Sequence, residues 1–153
     1  MSQRNNLKLF GIDEQECHLQ KAETLQWLQQ GAPGLDEGMY EILMQFNAVE
    51  GVATRWCCAG HEHEGDKRHS FYVMFSLTER GLHWMEYWFK SLMGQLLKEM
   101  PVIVNQIAMS KTYRLKRDDT MHEVVIFKAK GLRTVEQHTQ FLELVKKSFN
   151  LVH

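Results

Sequence analysis

His69-Ser-Phe-Tyr-Val-Met-Phe-Ser-Leu77 runs directly into Thr78-Glu79-Arg80-Gly81-Leu-His-Trp-Met-Glu-Tyr-Trp-Phe89, and the fold class turns on that junction. The first segment is rich in aromatic and β-branched residues at alternate positions, the pattern of a strand with one buried face. The second changes period. Met85, Trp88, Phe89, Leu92, Met93, Leu96 and Met100 recur at helical spacing after Thr78, with Pro101 to stop the helix. A strand feeding a long amphipathic helix is the unit from which the rest is read.

Upstream, Val52–Cys58 reads as a strand and Gly60–Arg68 as a hydrophilic loop, so 52–77 forms a hairpin. Downstream, Val102–Ser110 and Met121–Lys130 read as two strands joined by the charged loop Lys111–Thr120. Gly131 then breaks the chain, Thr134 caps, and Val135–Phe149 forms a helix with Phe141, Leu142, Val145 and Phe149 inward. The order from about residue 52 is ββαββα. It predicts an α+β domain with a mainly antiparallel four-stranded sheet and helices on one face.

Two helices precede it. Met39, Ile42, Leu43, Phe46 and Val49 mark one over Asp36–Glu50, with Asp36 as N-cap and Gly51 as stop. Residues 1–35 read as a polar, peripheral arm with a short helix. Asp13-Glu-Gln-Glu16 suits its N-terminus, and Gly31-Ala-Pro-Gly34 ends it in a turn. With 153 residues, 44% hydrophobic and 24% charged, the chain is read as one domain, 1–153, with its core in 36–153.

Eighteen Lys and Arg against nineteen Asp and Glu give a net charge of −1, which argues against coating nucleic acid or membrane through bulk charge. No apolar run approaches membrane-spanning length, and Met1-Ser-Gln-Arg-Asn-Asn6 lacks the apolar centre of a secretory signal. Three cysteines, two adjacent at Cys57 and Cys58, make a poor disulfide framework. A cytoplasmic protein is expected.

The segment most informative about function is Gly51-Val-Ala-Thr54-Arg-Trp-Cys57-Cys58-Ala-Gly60-His61. Simple alternation puts Thr54, Trp56 and Cys58 on one face, with Arg55 and Cys57 on the other. Gly60 permits a tight turn or close approach to a ligand, and His61 then stands at the rim of the sheet. Three chemistries compete here. Cys58, His61, His63 and His69 are a ligand set for zinc. Cys58 beside His61 is a candidate thiol nucleophile with its base, for a hydrolase or transferase. Arg55, Gly60, His61, His63, Lys67 and Arg68, together with Tyr113, Arg114, Lys116 and Arg117 of the second hairpin, suit an anionic ligand. In that reading guanidinium forks hold phosphate and a ring stacks a base.

The string Gly51, Thr54, Cys57, Cys58, Gly60, His61, followed by Tyr72–Phe75, resembles small proteins of bacteriophages and prophages. It is also distantly similar to the Ser-Cys-Ser-Gly-Arg motif of wybutosine-synthesis proteins, with His61 at the Arg position. The phage resemblance covers about 25 residues of the chain, and implies a viral accessory protein acting in a host cytoplasm. Combined with the absence of a catalytic signature, it leads to the expectation of a counter-defence binding protein. Such a protein would sequester a nucleotide-like signal or block a host protein, with no cofactor required, no membrane contact and self-association as a further expectation.

Overall fold

The computed structural model describes residues 11–35, 38–58, 71–115 and 121–151. Helices α1 (Glu14–Gln29) and α2 (Met39–Asn47) precede strands β1 (Val52–Cys58) and β2 (Phe71–Leu77). Helix α3 (Glu79–Glu99) and a 3-10 helix (Pro101–Gln106) follow, then β3 (Ile107–Leu115), β4 (Met121–Ala129) and α4 (Val135–Ser148). The strands form one sheet in the order β1-β2-β4-β3, every neighbouring pair antiparallel. The fold is α+β, as the hairpin–helix–hairpin–helix pattern predicts. Strands β2 and β3 are parallel with β4 between them, so α3 is the crossover of a split β-α-β unit.

One face of the sheet is aromatic and carries helices. Phe71, Val73 and Phe75 of β2 lie opposite Ala129, Phe127 and Val125 of β4. Each of three helices reaches this face with a ring. Phe46 of α2 meets Phe75 at 4.7 Å between centroids, Trp88 of α3 meets Phe127 at 5.1 Å, and Phe141 of α4 meets Phe71 at 5.0 Å. The Trp88 indole N–H is deeply buried and donates to Ser148 Oγ at 2.6 Å, so the polar atom of the largest core residue is satisfied.

Four expectations are corrected. First, the described part of the N-terminal segment, residues 11–35, packs against the rest of the fold. Within α1, Lys21 Nζ donates to Val49 O at 2.8 Å and Thr24 Oγ1 to Thr54 O at 2.9 Å. Leu28 joins the main core, and Cys17 closes a second cluster with Ile12 and Ala53. Its apolar residues form no regular stripe because they are divided between two contacts. Second, α2 starts at Met39 behind Gly38, whose φ of 90° makes a left-handed entry without a side-chain cap; Asp36 lies outside the described residues.

Third, Val102-Ile-Val-Asn105 is not a strand. Pro101 fixes the backbone for a 3-10 turn directly after α3, which buries Ile103 and leaves Val102 78% exposed. The strand begins at Ile107 instead and runs to Leu115. It therefore takes Lys111, Tyr113 and Arg114 out of the predicted loop. Fourth, a bulge between Thr54 and Cys57 breaks the alternation of β1. Thr54 opposes Phe75 and Cys57 opposes Val73, so these two share a register series, while Cys58 opposes Tyr72 in the other.

The turn into β1 is pinned to the start of α3. Gly51 (φ 87°) accepts a bond from Thr78 N at 2.9 Å, and the Thr78 side chain caps α3 by accepting from Gly81 N at 3.2 Å. A Cβ built on Gly81 would stand 2.0 Å from Gly51 O, a backbone atom that cannot step aside. The Gly81→Ala variant should therefore lose about 1–3 kcal/mol of stability despite the better helix propensity of alanine. Urea unfolding checks this, and a neutral or stabilising result would show that the contact is loose.

Candidate ligand face of the sheet

The second face of the sheet has a different character. Positions in register across β2, β4 and β3 are Tyr72, Lys128 and Ala108 in one row and Met74, Ile126 and Ser110 in the next. Further rows hold Val124 with Thr112 and His122 with Arg114. Among the described residues of these three strands this face carries no Asp or Glu; Glu123 belongs to the helix side, where it meets Lys111 at 3.6 Å. Lys128 and Arg114 supply positive charge from opposite ends of the face, separated by about 20 Å of strand.

The rows differ in depth. Ser76, His122 and Val124 are buried, and Ser76 Oγ lies 3.1 Å from His122 Nε2. This is a serine–imidazole hydrogen bond, but Ser76 is 0% exposed and so offers no oxygen to an incoming substrate. Tyr72 and Lys128, by contrast, are half-buried and Ser110 is exposed. Directly opposed residues of an antiparallel pair bring their Cβ atoms to about 5 Å. Tyr72 and Lys128 are thus register partners on one face, with Cys58 backbone-paired to Tyr72 from the far side.

The predicted site residues are distributed differently from the single pocket expected. Arg55 lies on edge strand β1 and forms an ion pair with Glu23 of α1 at 3.5 Å. Tyr113 and Arg114 lie on the opposite edge strand, three strand spacings or about 14 Å away. As consecutive strand residues, these two also face opposite sides of the sheet. The strand ends Cys58 and Phe71 stand at one end of the sheet, and Leu115 and Met121 at the other. The two hairpins therefore leave the sheet in opposite directions. Gly60, His61, His63, Lys67, Arg68 and His69, with Lys116 and Arg117, lie outside the described residues.

Among the described residues no three His, Cys, Asp or Glu side chains converge as a metal site, and no helix is long and apolar enough to cross a membrane. His138 is taken up by a 2.8 Å contact with Leu132 O. Sequence reasoning did not single out Lys128, because its place opposite Tyr72 comes from β4 pairing with β2 across the split unit. The signal that could have found it is a lysine in the same alternate series as Val124 and Ile126 of β4.

No protein-family model and no curated protein matches the chain. Among solved structures the chain is similar to the PH1069 protein from Pyrococcus horikoshii, at 12% identity over 90% of this chain and 85% of that one, with a TM-score of 0.34. Nothing about fold or function is carried across at that level.

Cys17 is the thiol whose environment is defined. Burial raises its pKa, outweighing the nearby Lys21 ammonium, which lowers it, and Glu14 adds to the rise. A raised pKa leaves less thiolate at neutral pH, so Cys17 should resist iodoacetamide in the folded protein and react on unfolding. Peptide mass mapping after alkylation checks this; rapid modification of native Cys17 would contradict its burial.

Proposed function

We propose that this protein is a bacteriophage accessory protein of the counter-defence type that holds a nucleotide-like signal without transforming it. The observation that carries the ligand part is the Tyr72–Lys128 row on a face free of carboxylates among its described residues. A tyrosine and a lysine opposed on neighbouring strands can stack a base and hold a phosphate, and an anion meets no like charge among the described residues of that face. Support for the phage part comes from the Gly51-to-His61 string.

In this reading the first hairpin completes the site. Gly60 and His61 follow Cys58 by two and three residues, and Cys58 is backbone-paired with Tyr72. Gly60 would let the chain approach the ligand, while His61, His63, Lys67 and Arg68 would add donors. The Arg55–Glu23 pair fixes α1 beside the edge strand that leads into that loop. The second hairpin, leaving from the opposite end of the sheet, takes no part at this row.

Titration calorimetry against mono-, di- and cyclic nucleotides tests the proposal. One class should bind, and Tyr72→Leu and Lys128→Met should each weaken it about tenfold or more, a loss of about 1.4 kcal/mol. Absence of heat across the panel would overturn the nucleotide reading and leave a host protein as the target.

A further inference from the structure

The two edges of the sheet are unequal. Strand β1 is flanked by α1, which reaches it through the Thr24 and Glu23 contacts. Strand β3, at the other edge, pairs only with β4 among the described residues, in nine consecutive register positions with no bulge. Long, regular edges invite further pairing, and bulges, prolines or covering elements are the usual protection. Strand β3 contains no proline, and of its two cations, Lys111 and Arg114, Lys111 is already met by Glu123 at 3.6 Å.

Its outward hydrogen-bonding positions follow from the ladder. Lys130 N donates to Gln106 O at 3.1 Å while Ile107 opposes Ala129. Even-numbered residues of β3 therefore direct N–H and C=O toward β4, and Met109, Lys111 and Tyr113 direct theirs outward. An antiparallel partner identical to β3 must pair odd residues with odd ones, which restricts the two-fold axis to a few positions. At Lys111 the axis opposes two ammonium groups. At Ser110 it sets Lys111 against Met109, with nothing to attract it. At Thr112 each Lys111 stands opposite the partner's Tyr113, each Arg114 opposite the partner's Ser110, and the two threonines meet on the axis. Cation–aromatic and Thr–Thr cross-strand pairs are favourable ones, and Tyr113 is 55% exposed in the single chain.

We infer that the protein self-associates through β3, with its two-fold axis at Thr112, to give a continuous eight-stranded sheet. The axis is perpendicular to the sheet, so both Tyr72–Lys128 rows lie on the same side of the dimer and all the core helices on the other. This inference is independent of the ligand reading.

Cysteine cross-linking tests it. In this register Thr112 is a non-hydrogen-bonded pair across the axis, with the close Cα spacing a disulfide accepts. Thr112→Cys should give an intermolecular disulfide under mild oxidation, mapped by peptide mass spectrometry against the unsubstituted chain. Ser110→Cys, held opposite Arg114, should not. Sedimentation equilibrium should show a dimer for the full chain and a monomer for Tyr113→Pro, which loses an outward N–H but no bond to β4, with an unchanged circular dichroism spectrum. Preferential cross-linking at Ser110→Cys overturns the register. A monomeric full chain at its highest soluble concentration overturns the association.

Discussion

The burial of Trp88 is the constraint on which the remaining structure depends. Its ring meets Phe46 from α2, Phe127 from β4 and Phe149 after α4, and its N–H ends on Ser148. Four parts of the chain that are distant in sequence are thus held by one side chain. Apolar contact alone would fix only distance. The hydrogen bond also fixes orientation, because an indole N–H left unsatisfied in this core would cost about 1–3 kcal/mol. It sets how α3 and α4 lie against each other and so how squarely both cover the sheet.

That cover is unequal between the two faces. Helices α2, α3 and α4 bury the ring-bearing positions of β2 and β4, whereas on the second face Ala53, packed with Ile12 and Cys17, and Ser76, His122 and Val124 are buried while Tyr72, Lys128 and Ser110 keep some exposure. The split β-α-β order then matters. Because β4 enters between β2 and β3, its residues are flanked on both sides, and a row across the face contains side chains from both hairpins. A simple meander would have set β3 rather than β4 beside β2.

Much of this fold was legible in the sequence because the relevant signals are local. The aromatic alternation of 71–77, the Thr78 cap, the stripe from Met85 to Leu96 and the Thr134 cap all concern neighbours within a few residues. What was not legible depended on distant partners. The irregular apolar pattern of α1 makes sense only against two separate contacts. The Val102–Val104 run carries strand propensity, but the turn geometry set by Pro101 overrides it. The bulge after Thr54 is invisible in a string of residue types, and it shifts which β2 residues Cys57 and Cys58 oppose. The site suffered most. Tyr113 and Arg114 with their flanking lysines look like one patch when read linearly, yet the strand puts Tyr113 and Arg114 on opposite faces.

Lys128 presents the opposite situation, a residue whose local setting argues for a purpose. It lies in central strand β4, in the alternate series His122, Val124, Ile126, Lys128, and opposes Tyr72. For stability alone this position favours a β-branched or aromatic residue, which would extend the apolar row and pair well with tyrosine. Lysine instead brings a charge whose partial desolvation costs free energy and a side chain that loses rotamer freedom. Glu123 is directed to the other side and compensates Lys111 there. The register of β2, β4 and β3 thus sets a lysine opposite a tyrosine, on rows where the described strands offer no carboxylate, at a position where packing alone favours an apolar side chain.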